Sequence, residues 1–104
     1  MQFVVTAWDG TDPEALERRL AARPAHLELG RRLQAEGRRL FAAALLNEQG
    51  RMVGSVIVAD VPDRAALDAW LAEEPYITGK VWERVEVRAC RVSPNFLAGD
   101  SIST

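Results

Sequence analysis

Disulfides, metal-ligand clusters and long apolar runs are all missing from this sequence of 104 residues. It contains one cysteine, Cys90, and one histidine, His26, which excludes an intrachain disulfide and the ligand spacing of a structural zinc site. No apolar stretch approaches the ~20 residues that span a bilayer. The first residues also lack the basic region of a signal peptide. We therefore expect a cytoplasmic protein that binds neither a metal nor a membrane.

The sequence also lacks an excess of positive charge. The chain has 13 Lys and Arg residues against 15 Asp and Glu, a formal net charge of −2. Because sequence-independent binding to nucleic acid needs a basic surplus that displaces counterions, we expect no nucleic-acid partner. Glycine-rich phosphate-binding motifs are absent as well, and we expect no cofactor. What is present, 48% hydrophobic and 27% charged residues, is typical of one globular domain.

The residue patterns predict an α+β fold with four strands and two helices. Runs of β-branched and aromatic residues, bounded by turn residues, predict strands at 2–8, 39–47, 51–61 and 80–92. The order β-α-β-β-α-β is a twofold β-α-β pattern of the ferredoxin-like type, with an antiparallel sheet. We therefore expect one domain over 1–92. The C-terminal extension over 93–104, rich in Ser, Gly, Pro and Asn, is expected to be an extended arm.

The two helices have boundary signals. Asp12 predicts the start of the first helix and Gly37 its end. Because the residue before a proline disfavours helical geometry, Pro24 predicts a kink or a break in between. Asp63 predicts the start of the second helix, and Pro75 its end.

Both faces of the predicted sheet are apolar. The second strand alternates between Leu40, Ala42, Ala44 and Leu46 on one face and Phe41, Ala43 and Leu45 on the other. Two helices cover only one face of a four-stranded sheet, so the other face would be a large exposed apolar patch. A homodimer through this sheet face is the simplest way to cover it.

The single histidine falls on the buried side of the first helix. Leu29, Gly30 and Leu33 follow His26 by three, four and seven residues and share its helix face, which places the imidazole toward the sheet. Imidazole titrates near neutral pH, so one interpretation is a general acid or base. The other is a buried histidine that donates one structural hydrogen bond. The sequence pattern alone is compatible with both.

Further candidate site residues lie outside the first helix. The carboxylates that would orient His26 are Asp9, at the end of the first strand, and Glu73 or Glu74, at the end of the second helix. A turn role for Asp9 and a solvated helix end for Glu74 are the structural alternatives. Trp8 and Tyr76 are expected to line a pocket beside His26, and Ser55 to contact its ligand.

Paired arginines recur along the chain. They are interleaved with glutamates, and we interpret them as solvated helix faces, with one arginine free to face an anionic ligand. The pairs are Arg18-Arg19, Arg31-Arg32 and Arg38-Arg39.

Two segments resemble the YciI-like (YCII-related) family. The first runs from Glu17 to Leu27 and contains the combination Arg-Pro-x-His-Leu. The second, from Gly54 to Val87, follows the order and spacing of the family through Ala69-Trp70, Glu74-Pro75-Tyr76 and Gly79-Lys80-Val81-Trp82. The resemblance covers about residues 1–92.

The resemblance implies a dimeric α/β barrel of two ferredoxin-like protomers, with a cleft between helices and sheet that holds a His–Asp pair. The family's His falls on His26, and its Asp falls on Glu74. The extra methylene moves the carboxylate by ~1.5 Å, and errors of about an ångström can cost ~100-fold in rate. A Gly-Pro of the family is also missing from the second strand. Some relatives act on chlorinated hydroxyquinones or related rings by acid/base elimination.

We therefore expect a cofactor-free acid/base enzyme of the lyase, isomerase or dehydrochlorinase type. It would act on a small cyclic organic molecule with His26 as base. The alternative is a non-catalytic small-molecule-binding or interaction module with a relaxed site. A third hypothesis, haem or radical oxygenase chemistry on the same fold, has only the lone histidine in its favour.

Overall fold

The computed structural model describes residues 1–96, which form four strands and three helices. In chain order these are β1 (Gln2–Asp9), α1 (Ala15–Ala35), β2 (Arg39–Leu46), β3 (Met52–Asp60), α2 (Arg64–Glu73), α3 (Pro75–Thr78) and β4 (Trp82–Cys90). The strands form an antiparallel sheet in the order β2-β3-β1-β4, which confirms the predicted ferredoxin-like fold. None of the helices within residues 1–96 has the length and apolar character needed to cross a membrane.

The core lies between the helices and one face of the sheet. Alternate residues of β1, ending at Asp9, are buried, as expected for a strand with one covered face. From the helix side, the core receives Leu29 of α1, Leu67 and Trp70 of α2, and Tyr76 of α3. Burying a large apolar side chain contributes ~1.5–3 kcal/mol, so these contacts hold the helices against the central strands.

α1 runs unbroken from Ala15 to Ala35 although Pro24 lies inside it, so of the predicted kink or break, the break is wrong. Pro24 is exposed, and Leu20, whose carbonyl lacks its usual N–H partner, is 51% exposed and can bond to water instead. The helix also begins three residues after Asp12, whose carboxylate accepts a backbone N–H at 3.2 Å in the preceding turn. The predicted end at Gly37 is confirmed by its φ of +76°.

Pro75 begins a helix as well as following one. α2 ends at Glu73, and the four residues of α3 start with Pro75 itself. Proline suits the first position of a helix because its missing N–H has no helical partner there and its φ is preset. The prediction that Pro75 only ends a helix therefore missed α3. As a result, Glu74 lies between two helices, and only 2% of it is exposed instead of forming a solvated helix end.

The chain turns after β4. Residues 94–96 form a turn in which the Ser93 carbonyl accepts the Phe96 N–H at 2.9 Å. The Phe96 ring lies edge-on to Phe41, with 6.1 Å between ring centroids. The predicted extended arm is therefore wrong for residues 94–96, and its remainder, 97–104, lies outside the described residues.

The second face of the sheet is only partly apolar. β2 and β4 are exposed along most of their length. Phe41, which is 45% exposed, and Val4 both lie opposite Val58 in the register. Toward β4 the face becomes charged, because Arg84, Glu86 and Arg88 lie opposite the outer residues of β1. The apolar part of this face is therefore centred on β2 and β3.

Candidate functional site

His26 and Glu74 form a buried pair between α1 and the start of α3. His26 Nδ1 is hydrogen-bonded to Glu74 Oε1, and the two side chains are 9% and 2% exposed. An ionised carboxylate only accepts hydrogen bonds, so Nδ1 carries the proton and donates it. Within residues 1–96, His26 Nε2 has no hydrogen-bond partner. The pair therefore selects one imidazole tautomer and leaves the lone pair of Nε2 available.

The short helix α3 holds both members of this pair. Glu74 Oε1 also accepts the Tyr76 N–H at 3.2 Å, so the side chain caps the helix that follows it. The Tyr76 ring stacks on the imidazole of His26, with centroids 3.8 Å apart and planes 12° from parallel. One four-residue segment therefore fixes the carboxylate and one face of the imidazole.

A second buried network lies beside the pair. Arg19 Nη1 donates to Asp9 Oδ1 at 2.9 Å and Oδ2 at 3.0 Å, and both side chains are at most 3% exposed. Arg19 Nη2 donates to Ser55 Oγ at 3.0 Å, and Trp82 Nε1 donates to the same oxygen at 3.2 Å. A hydroxyl has two acceptor lone pairs and one donor proton. Since both lone pairs of Ser55 Oγ already accept hydrogen bonds, the hydroxyl can form a further hydrogen bond only by donating its proton.

Burial shifts two ionisable groups of this network. It raises the pKa of Asp9 above 3.8, and the hydrogen bond from Arg19 opposes the rise. It also raises the pKa of Tyr76 above 10.0, again opposed by Arg19, whose Cζ lies 4.6 Å from the Tyr76 ring centroid. The Tyr76 hydroxyl is therefore protonated at neutral pH.

A cavity of about 160 Å³ opens beside His26, between α1 and the strands β2 and β3. The short side chains of Ala42, Ala44 and Ser55 leave this space, and Ala43 also borders it. The rest of the lining is Arg19, Arg23, His26, Leu27, Arg39, Met52, Ile57 and Tyr76. The cavity thus combines apolar and aromatic walls with three guanidinium groups. Within residues 1–96, no three His, Cys, Asp or Glu side chains come together as a metal-binding group.

The structure brings together most of the predicted site residues. His26, Tyr76 and Ser55 line the cavity, and Glu74 lies behind His26. The Asp9 carboxylate binds Arg19 of the adjoining network and not His26. Trp8 is not brought into the cavity. Because successive strand residues point to opposite faces, its ring lies on the outer face, 3.9 Å from Cζ of Arg84.

Sequence reasoning missed all three arginines of the cavity, Arg19, Arg23 and Arg39. Arg19 is 2% exposed and does not belong to a solvated helix face. A signal for this was present, because Arg19 precedes His26 by seven residues and so falls on the same side of α1. Arg39 carried no such signal. Strict alternation along β2 places it on the same face as Phe41, whereas it lines the cavity on the helix side of the sheet.

Fold and cavity together define a ferredoxin-like α+β protein with a histidine–carboxylate pair between helix and sheet. Comparison with protein families gives the particular group: the YCII-related domain matches residues 1–91, and the chain belongs to this family. The protein YciI of Escherichia coli is 36% identical over 94 residues, which is 85% of this chain and 94% of that protein. The suspected family membership is therefore confirmed.

Solved structures share the fold at low sequence identity. A 5-chloro-2-hydroxyhydroquinone dehydrochlorinase from Burkholderia phenoliruptrix, solved with 2,5-dihydroxybenzoquinone, superposes with a TM-score of 0.77 at 17% identity, over 91% of this chain and 98% of that one. A dimeric ferredoxin-like protein of unknown function from Jannaschia gives a TM-score of 0.56 at 14% identity, over 88% and 98%. At these identities the likeness shows the fold alone.

Proposed function

We propose that this protein is a cofactor-free acid/base enzyme that acts on a small ring compound in the cavity beside His26. One observation carries the proposal: the buried Glu74 carboxylate binds His26 Nδ1, while Nε2 has no partner within residues 1–96 and His26 lines a cavity. A carboxylate that holds the Nδ1 proton orients the ring and stabilises the imidazolium that forms when Nε2 takes a second proton. His26 is the base, and Glu74 is its positioning residue.

The Ser55 hydroxyl is placed to donate a hydrogen bond to a ligand oxygen that becomes negatively charged during the reaction. Its two lone pairs are occupied by donors from Arg19 and Trp82, so its hydroxyl donates to the ligand. A fixed donor aimed at the atom where negative charge develops stabilises a transition state without reorganising. The cavity therefore offers an acceptor, His26 Nε2, and a donor, Ser55 Oγ, to one ligand.

The reaction follows from these two groups. His26 Nε2 removes a proton from a C–H or O–H group of the ring compound, and the electron pair of that bond moves to a ring oxygen held by Ser55. In an isomerisation, the imidazolium returns the proton to another atom of the ring. In an elimination, the electron pair returns from that oxygen to form a new double bond in the ring as a halide departs with the electron pair of its own bond. The proton remains on His26 until it passes to water. Neither route needs an external oxidant or reductant.

The size of the cavity supports a ligand with one ring. An engineered protein cavity of ~150 Å³ holds one benzene molecule, and the present cavity measures about 160 Å³. The structural neighbour from Burkholderia phenoliruptrix, a dehydrochlorinase bound to a single-ring quinone, supports the same substrate class. Chlorinated hydroxyhydroquinones and unsaturated ring lactones are therefore the first substrates to test.

A panel of these compounds tests the proposal, with chloride release and ring absorbance as readouts. We expect turnover by the wild type and a loss of about 10²- to 10⁴-fold in kcat with His26→Ala. Glu74→Gln tests the positioning role of Glu74. Its control is Glu73→Gln, because Glu73 is adjacent but exposed and pairs with Arg32 on the surface. Equal turnover by wild type and His26→Ala contradicts the proposal. Thermal stabilisation by a compound that is never consumed identifies a binding module instead.

The outer sheet face suggests how the protein assembles. Phe41 is 45% exposed there, and the apolar patch on β2 and β3 is of the kind that marks interfaces. We propose that two copies pair through this face in a dimeric α/β barrel. The dimeric ferredoxin-like neighbour from Jannaschia supports this arrangement.

A further inference from the structure

Arg39 reaches the cavity because of an irregularity at the start of β2. Arg39 lies opposite Ala59 and Phe41 lies opposite Val58, so Leu40 is an extra residue in the ladder. Such a β-bulge re-aims the side chains beside it. Without the bulge, Arg39 would share the outer face with Phe41. With it, the side chain crosses to the helix side and becomes part of the cavity lining.

A glycine of α1 makes room for the guanidinium. A β-carbon built on Gly30 would lie 2.5 Å from Arg39 Cζ, closer than two carbon atoms can approach. Glycine in the interior of a helix is otherwise unfavourable, since it loses more backbone freedom on folding than alanine does. Gly30 and the bulge, on two different elements, therefore place one guanidinium against α1 next to His26.

The charge of Arg39 is not matched by a carboxylate. No carboxylate oxygen within residues 1–96 lies within 4.0 Å of its guanidinium nitrogens, whereas Asp9 pairs with Arg19 and Glu74 pairs with His26. Burial lowers the pKa of Arg39 below 12.5, and the charge of Glu74 opposes that change. Arginine nevertheless stays protonated in proteins, so the cavity holds a partly buried positive charge.

We infer that Arg39 forms an anion-binding subsite, which selects single-ring ligands that carry a carboxylate or a deprotonated ring hydroxyl. The planar guanidinium suits such oxygens because it donates parallel hydrogen bonds to them. Arg23 also lines the cavity but is exposed, so solvent screens its charge more strongly. The inference specifies the ligand class of the proposed function, and it rests on that proposal only for the cavity being the ligand site.

Benzoate and benzamide provide the test, because they have nearly the same size and shape and differ in charge. We expect wild type to bind benzoate about 10- to 100-fold more tightly than benzamide, as a charge-assisted hydrogen bond predicts. Arg39→Met should bring this ratio close to one. Arg38→Met is the matched control, since Arg38 is the neighbouring arginine, 52% exposed and 3.6 Å from Glu36. The dissociation constants are measured by NMR titration of backbone amides.

Gly30→Ala adds a variant that keeps Arg39. The added methyl displaces the end of a flexible side chain and not backbone, so the melting temperature should stay the same or rise while the preference for benzoate falls. Equal binding of the two probes by wild type, binding of neither, or an unchanged preference in Arg39→Met overturns the inference.

The inference and the proposed function fail in different experiments. In His26→Ala the preference for benzoate should remain, because Arg39 does not depend on the base. One outcome is turnover that needs His26 but is equal for anionic and neutral substrates in wild type and Arg39→Met. This result would contradict the anion-binding subsite and support the proposed enzyme. A preference for benzoate that depends on Arg39, without turnover of any substrate, would support the subsite and contradict the proposed enzyme.

Discussion

His26 Nδ1 and Glu74 Oε1 are hydrogen-bonded across 48 positions of sequence. His26 is the single histidine of the chain, so its ring nitrogens give one unambiguous pair of ¹⁵N NMR signals. We expect these signals to show that the neutral imidazole carries its proton on Nδ1 and not on Nε2. Glu74→Ala should abolish this preference because it removes the acceptor, whereas Glu73→Ala, on the exposed side, should leave the spectrum unchanged. A wild-type spectrum with the proton on Nε2 would contradict the assigned tautomer.

Glu74→Asp tests whether the length of this side chain matters. The resemblance to the family implies an aspartate at this position, and here Glu74 reaches both His26 and the Tyr76 N–H. Shortening it by one methylene should lower kcat by ~100-fold, since a shift of about an ångström disturbs the pair. Aspartate is itself a good helix cap, so the melting temperature should change little. Full activity in Glu74→Asp would show that the pair tolerates either length.

The buried pair of Asp9 and Arg19 should dominate the stability of this part of the protein. Asp9→Asn leaves the guanidinium without its countercharge and should cost about 3–5 kcal/mol in free energy of unfolding. Arg19→Met should cost a similar amount. The double variant should cost less than the sum of the two by about 1–3 kcal/mol, because the second change removes the charge that the first leaves unpaired. Urea denaturation of all four proteins measures this coupling, and strict additivity would contradict it.

Acid stability should depend on an ion pair ahead of α1. Arg18 donates to both carboxylate oxygens of Asp12, at 2.8 and 2.7 Å, and holds the pKa of Asp12 well below 3.8. Because the folded-state pKa lies below the unfolded value, the pair stabilises the protein above about pH 4 and loses this effect as the pH falls further. The free-energy difference between wild type and Asp12→Asn should therefore be constant above about pH 5 and shrink in acid.

Salt separates this effect from a change in turn geometry. Asparagine can still accept the Glu14 N–H that Asp12 accepts, so the variant loses mainly the charge. At 1 M NaCl the Debye length is about 3 Å, and an exposed pair is strongly screened. The difference between wild type and Asp12→Asn at neutral pH should then become smaller. If the free-energy difference between wild type and Asp12→Asn grows as the pH falls, the prediction is contradicted.

The proposed dimer predicts a change in mass. Phe41→Asp introduces a charge at an exposed position of the outer face and should convert a dimer into a monomer in sedimentation velocity experiments. Leu20→Asp is the matched control, because Leu20 is 51% exposed on α1, away from that face. A wild-type protein that sediments as a monomer would exclude the dimer.

The fold could be predicted because each element carries its own signal. Period-two patterns give the strands, and Asp63 and Gly37 mark helix ends by local hydrogen bonding and backbone freedom. Pro24 misled the prediction because the cost of a missing N–H depends on whether the partner carbonyl reaches water, and the fold decides this. The start of α3 was hidden because proline both ends one helix and suits the first turn of the next.

The site could be predicted only where a residue and its neighbours share one element. His26 was placed on the buried side by residues of its own helix, and Arg19 could have been placed the same way. Arg39 could not, because a bulge in β2 depends on the pairing with β3 and breaks the alternation from which a face is inferred. The pairing of His26 with Glu74 likewise depends on how α1 and α3 pack.

One oxygen atom, Glu74 Oε1, accepts hydrogen bonds from both His26 and the first turn of α3. We therefore expect opening of α3 to be coupled to release of the imidazole. Amide hydrogen exchange at Tyr76 measures the opening of α3, and His26 NMR signals under the same conditions test the coupling. We expect a ligand that binds to the oriented His26 to slow exchange of that amide without contacting it.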